Sequence, residues 1–269
     1  MSAAVDPATG AAGRFVRVEQ VMGTMASLHV HDAPDPVVVA AAADAVFAEL
    51  ERLEQIFSTY RDTSEISRIN RGELHLLDAS PEVVDVLDAC TWLEQVSGGA
   101  FRARRPATVT RPELLDPAGF VKGWATERAC GALRDAGLVR WYLSVGGDLQ
   151  ASGGQSDTEP WRVGIADPNS PGTVRASVDV VDGAVATSGL AERGRHLWDG
   201  RTGAEAETFA SLTVVGPSLT WADAFATAAY ALGADGLAWV AQFDGYHALA
   251  ITYDDELLAT PGFARPDGP

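Results

Sequence analysis

The chain has 269 residues, 46% of them hydrophobic, and a formal net charge of −17. That length and apolar content support one large core, while the acidity excludes broad binding to nucleic-acid phosphates or anionic membrane surfaces. Two cysteines, Cys90 and Cys130, give neither a disulfide framework nor zinc-ligand spacing, and no apolar run reaches bilayer-spanning length.

Residues 1–13 are rich in Ala, Gly and Pro and lack the basic and apolar regions of a signal peptide, so a disordered lead and a cytoplasmic protein are expected. A folded domain is expected over 14–260, followed by a flexible tail at 261–269. Arg14 to Glu19 and Met25 to His31 alternate apolar and polar residues around Val21-Met22-Gly23-Thr24, which predicts two strands and a turn. His29 and His31 fall on the polar face of the second strand and are expected to face solvent.

From Pro36 to Ser58, Val46, Leu50, Leu53 and Phe57 recur at helical spacing. A short helix follows with Asp62 as its cap, and then one opened by Ser80-Pro81 and carrying Val83, Leu87, Cys90 and Leu93. Arg102 to Glu113 has no period and reads as a loop whose arginines, Arg102, Arg104, Arg105 and Arg111, stand out in an acidic chain. Lys122-Gly123 opens the next helix, closed by Gly137.

The second half is richer in strands, predicted at 140–145, 161–166, 174–181, 184–188, 211–215 and 247–253, with a helix around Asp223 and another from Asp235 to Gln242. Helices early and strands late, without steady alternation, indicate an α+β fold: mixed, largely antiparallel sheets packed with helices in a single domain.

Asp223 and Thr227 lie four residues apart in an apolar helix-forming run, so both oxygens share one helical face. Two readings follow. The pair forms a site for a hard cation, or Thr220 and Asp223 form a capping box worth about 1 kcal/mol. Elsewhere, Asp116 to Gly123 places an acid, two glycines and a lysine at a helix start, where free N–H groups favour anions. Gly146-Gly147-Asp148 is a hairpin turn by itself. Ala186-Thr187-Ser188-Gly189, with Arg193, Arg195 and His196 after it, supplies hydroxyls and cations ahead of the polar turn Asp199-Gly200-Arg201-Thr202-Gly203.

In this order, and with Met22-Gly23-Thr24 and Phe57-Ser58-Thr59-Tyr60 before them, these motifs resemble the series of the FAD:protein FMN transferases, the ApbE-type flavin transferases. The resemblance covers Val18 to Tyr253. It implies an enzyme that uses FAD as substrate with Mg²⁺, transfers FMN to a Thr or Ser hydroxyl of a target flavoprotein, and releases AMP. Hydrolysis of FAD to FMN and AMP, or flavin binding without catalysis, are the alternatives.

By motif, the resemblance implies metal ligation by Asp223, Thr227 and the Val121 carbonyl. It implies flavin-nucleotide contacts from Met22, Tyr60, Asp116, Lys122, Gly146, Gly147, Asp148, Thr187 and Ser188. Asp223 and His196 are the implied catalytic residues, His196 either as proton acceptor or as phosphate contact. The chain departs from the family pattern between Gly99 and Asp116, where a segment is shortened and Arg102 replaces an acid. It departs again at Pro117-Ala118, at Leu190-Ala191-Glu192 and at Gly200.

Overall fold

The computed structural model describes residues 14–31, 35–105, 113–189 and 197–263. In chain order, the first half gives β1 (Phe15–Val21), β2 (Thr24–Val30), α1 (Pro36–Phe57), α2 (Glu65–Asn70), α3 (Pro81–Val96), β3 (Arg104–Arg105), β4 (Leu114–Leu115), α4 (Ala118–Ala129) and α5 (Gly131–Asp135). The second gives β5 (Trp141–Val145), β6 (Asp148–Ser152), β7 (Trp161–Ala166), β8 (Val174–Val180), β9 (Gly183–Gly189), β10 (Ser211–Gly216), α6 (Leu219–Leu232), α7 (Gly236–Val240), β11 (His247–Ile251) and β12 (Leu257–Ala259).

Eight strands form one sheet in the order β1-β2-β5-β6-β9-β10-β11-β12, every neighbouring pair antiparallel. Strand alternation divides its side chains between two faces. Leu28, Leu143, Ala186, Leu212, Val214, Ala248 and Ala250 join one core with the buried residues of α1, α3, α4 and α6. On the other face Ala151, Val185, Leu249 and Ile251 meet Trp161, Ile165, Val178 and Val180 of the β7–β8 hairpin. Phe263 is buried in this second core as well.

α6 is buried almost all round, as an Ala-rich helix with so few polar residues must be. It packs between α4 and strands β9 and β10. This position fixes everything that follows.

Several local expectations change. α2 is capped by Ser64, whose Oγ accepts the Ser67 N–H at 3.0 Å, not by Asp62. α4 begins at Ala118, one turn before Lys122-Gly123, and gives way to α5 at Cys130. β6 has no sequence signal because its polar members are buried: Asp148 and Gln150 alternate with Leu149 and Ala151, and all four are out of solvent. His29 and His31 are half-buried rather than solvent-facing, with the His29 ring stacked on Tyr142 at 4.4 Å and the His31 ring edge-on to Trp161 at 4.6 Å.

Candidate active site

The site begins where α4 crosses α6. Gly119 and Gly123 lie one turn apart on α4 and face α6; a side chain on Gly123 could not fit without moving α6, and one on Gly119 would press on Thr227. A Cβ on Gly123 would lie 2.6 Å from both Asp223 Cβ and the Leu219 carbonyl oxygen; one on Gly119 would lie 3.0 Å from Thr227 Cγ2. The two glycines bring the helices close enough for the Gly123 N–H to donate to Asp223 Oδ2 at 2.8 Å. Asp223 therefore spends one oxygen on the neighbouring helix. It does not cap its own.

The capping-box reading of Thr220 and Asp223 is thus corrected. α6 starts after Ser218, and its first donors are met by other elements: Thr220 N–H and Ser218 Oγ–H donate to Glu127 Oε2 at 2.8 and 2.6 Å, and Leu219 N–H donates to Gln150 Oε1 at 3.0 Å. With that task taken by Glu127 and Gln150, Asp223 and Thr227 face a cleft.

Asp223 is 3% exposed, so its carboxylate needs compensation. Lys122 Nζ lies 3.9 Å from Asp223 Oδ1 and forms a close ion pair with Asp148 Oδ2, so one ammonium sits between two buried carboxylates. Asp148 follows the Gly146-Gly147 turn, and its other oxygen accepts the Thr187 N–H at 2.9 Å, tying β6 to β9. Ser188 lies beside α6, its Oγ 3.3 Å from Thr227 Oγ1. The Thr187 hydroxyl instead lies 2.9 Å from Thr213 Oγ1 on the adjacent strand.

Asp223, Thr227, Lys122, Thr187, Ser188, Asp116 and Tyr60 line one cleft, about 1180 Å³ counted out to its open mouth, together with Phe101, Arg102, Arg105 and Trp198. A second cleft, about 1200 Å³ when also counted out to its open mouth, is lined by Met22, Gly23, Glu54, Phe57, Arg61 and Val121, and shares Thr59, Tyr60, Ala118 and Lys122 with the first. The two therefore adjoin at Lys122 and Tyr60. Tyr60 is 94% exposed at this junction.

Met22 occupies the left-handed region, φ 53°, at the β1–β2 turn, and its N–H donates to Glu54 Oε2 at 3.0 Å. Glu54 also receives Arg61 Nη2 at 2.9 Å, so one carboxylate ties α1, the following loop and the turn together. Asp116 lies just ahead of α4, its Oδ1 accepting the Ala118 N–H at 3.3 Å.

Not every expected residue reaches a cleft. Gly146 and Gly147 form the β5–β6 turn, with φ of 57° and 89°, and Gly146 backs onto Thr24, outside the residues lining either cleft. Val121, by contrast, lines the second cleft from within α4, where an α-helical carbonyl is directed along the helix axis toward the N–H four residues on. His196 lies outside the described residues. In the sequence Gly119 and Gly123 read only as part of a helix-start motif, although their four-residue spacing matches that of Asp223 and Thr227, and nothing local marks Trp198 or Glu54 as cleft residues.

The donor set suits a hard cation. Among the described residues no group of three His, Cys, Asp or Glu side chains gathers to hold a metal, whereas one carboxylate with the Thr227 and Ser188 hydroxyls offers the few oxygens that Mg²⁺ accepts while keeping room for substrate oxygens.

The family model described as the ApbE family matches residues 22–109 and 103–250. The chain belongs to the ApbE family of flavin transferases. Its relatives include FAD:protein FMN transferases of Treponema pallidum, 27% identical over 92% of this chain and 87% of that protein, and of Rhodobacter capsulatus, 31% identical over 69% of this chain but 35% of that protein. The Escherichia coli K12 relative is 28% identical over 67% of this chain and 55% of its own length. Among solved structures, the ApbE protein of Thermotoga maritima superposes with a TM-score of 0.80 at 22% identity over 93% of this chain and 98% of that one. The flavin transferase ApbE of Vibrio cholerae gives 0.77 at 22% identity over 93% and 98%. These confirm the fold of helices on an antiparallel sheet. Among the described residues no helix is long and apolar enough to cross a membrane.

Proposed function

We propose that this ApbE-family chain transfers FMN from FAD to a Thr or Ser hydroxyl of a target protein, with AMP as leaving group and Mg²⁺ required. The observation that carries this reading is the α4–α6 crossing, which puts a buried carboxylate, two hydroxyls and a lysine on one cleft wall. In the reaction the acceptor oxygen forms a bond to the FMN phosphorus, the diphosphate P–O bond breaks, and AMP departs with the electron pair.

Such a transfer depends on positioning and charge neutralisation more than on covalent chemistry by the protein. Asp223, Thr227 and Ser188 would hold Mg²⁺, which supplies charge neutralisation at the diphosphate oxygens when bound. Lys122, fixed by Asp148 and Asp223, places a cation where the two clefts meet and so where a two-part substrate would carry its diphosphate. His196 is the residue proposed to accept the proton of the attacking hydroxyl. The tests are direct. Incubation with FAD, Mg²⁺ and an acceptor domain should give a flavin-fluorescent band that survives denaturing electrophoresis. AMP and free FMN without labelling would instead identify an FAD pyrophosphatase, and bound FAD without AMP release a flavin-binding protein.

A further inference from the structure

The arginines of the 102–105 segment are not equivalent. Arg102 Nε lies 3.2 Å from Glu94 Oε1, and Arg104 Nη1 lies 3.5 Å from Glu113 Oε1, so the charge of each is met by a carboxylate. Arg105 contacts no carboxylate among the described residues. Its guanidinium lies over the Trp198 ring, 5.3 Å from the centroid. Both residues line the cleft that holds Lys122, Asp223 and Thr227.

Trp198 is itself held rigidly. The turn after it is closed by the Gly203 N–H donating to the Asp199 carbonyl at 2.7 Å and by Arg201 bonding the Asp199 carboxylate, which lies below the ordinary aspartate range because of that arginine. Gly200 N–H donates to the Ala100 carbonyl at 2.8 Å, and a Cβ on Gly200 would lie 2.5 Å from the Gly99 oxygen, so the turn is pressed against the 99–102 backbone. A guanidinium resting on a fixed aromatic face keeps its in-plane N–H donors available at the ring edge, the arrangement that suits bidentate phosphate contact. Lys122 is less able to fill this role, since its ammonium already serves Asp148 and Asp223.

We propose that Arg105, seated on Trp198, is a phosphate-binding residue of this cleft and supplies the cationic contact that Lys122 cannot give alone. The proposal builds on the cleft being the nucleotide site, but it concerns phosphate recognition by one residue and can be tested separately. The experiment is titration calorimetry on the full chain with Mg²⁺ present, using ADP and the uncharged adenosine as probes against wild type, Arg105→Ala and Arg105→Lys. The Ala variant should bind ADP at least about tenfold more weakly, as expected for loss of a charge-assisted contact. The Lys variant should lose less, adenosine affinity should not fall with it, and the exposed position should leave the melting temperature unchanged. Unchanged ADP affinity in the Ala variant, or an equal loss for adenosine, would overturn the proposal. If wild type binds ADP but neither labels an acceptor nor releases AMP from FAD, the transferase reading fails while the role of Arg105 stands; if wild type binds no ADP, the role of Arg105 fails too.

Discussion

Replacing Asp223 by Asn separates a ligand from a structural carboxylate. The side chain has nearly the same shape, and its carbonyl oxygen can still accept the Gly123 N–H that Asp223 Oδ2 accepts at 2.8 Å. What disappears is the charge. At 3.9 Å from Lys122 Nζ, and with an effective dielectric constant near 20, that charge interacts by about 4 kcal/mol before desolvation is subtracted. Removing a carboxylate that is 3% exposed relieves much of its desolvation cost, and Lys122 keeps Asp148, so the net loss of stability should be about 1–2 kcal/mol. Activity should respond far more. Losing the charged ligand of a metal that stabilises several kcal/mol of developing charge predicts about a thousandfold fall in Mg²⁺-dependent FMN transfer. Urea unfolding gives the first quantity, and initial rates of fluorescent labelling over a Mg²⁺ titration give the second. Wild-type turnover at the same Mg²⁺ would remove Asp223 from the site. Destabilisation above about 4 kcal/mol would instead mark it as a structural anchor.

Four other outcomes follow from the geometry. Gly123→Ala sets a methyl group 2.6 Å from Asp223 Cβ and from backbone at Leu219, so urea unfolding should show a loss of about 1–3 kcal/mol, with transfer activity falling in step as α6 shifts. Lys122→Met leaves the Asp148 carboxylate without its ion pair at 1% exposure and should cost about 3–5 kcal/mol; adding Asp148→Asn should recover part of it, which a double-mutant cycle measures. Burial, with His31 as a further cause, holds His29 below its ordinary value of 6.5. The unfolded chain therefore binds a proton first as pH falls below 6.5, and stability should decline from there until the folded pKa is passed; His29→Gln should flatten that slope in melts taken between pH 7.5 and 5. Burial pushes the thiols of Cys90 and Cys130 far up, so neither should react with iodoacetamide at pH 8 until the chain is unfolded, as mass spectrometry would read.

Local pattern alone determined a good part of this protein. The 3.6-residue period of Val46, Leu50 and Leu53 specified α1, Ser80-Pro81 started α3, and Gly146-Gly147 marked a hairpin turn, because propensity and periodicity act over a few residues. Four-residue spacing likewise put Asp223 and Thr227 on one face of α6, and the order of short motifs led to the family. What that face meets was decided by tertiary structure. Whether Asp223 capped its own helix or faced a cleft depended on Gly123, 100 residues earlier, and on Glu127 and Gln150 taking over the helix start. β6 was hidden for the same reason: Asp148 read as part of a turn, and it and Gln150 are satisfied out of water only by partners on β9, α4 and α6. Burial of a polar group is settled by partners remote in sequence, so the chain could show which residues carry oxygen or charge, and only the packing of α6 onto α4 showed where these are brought together.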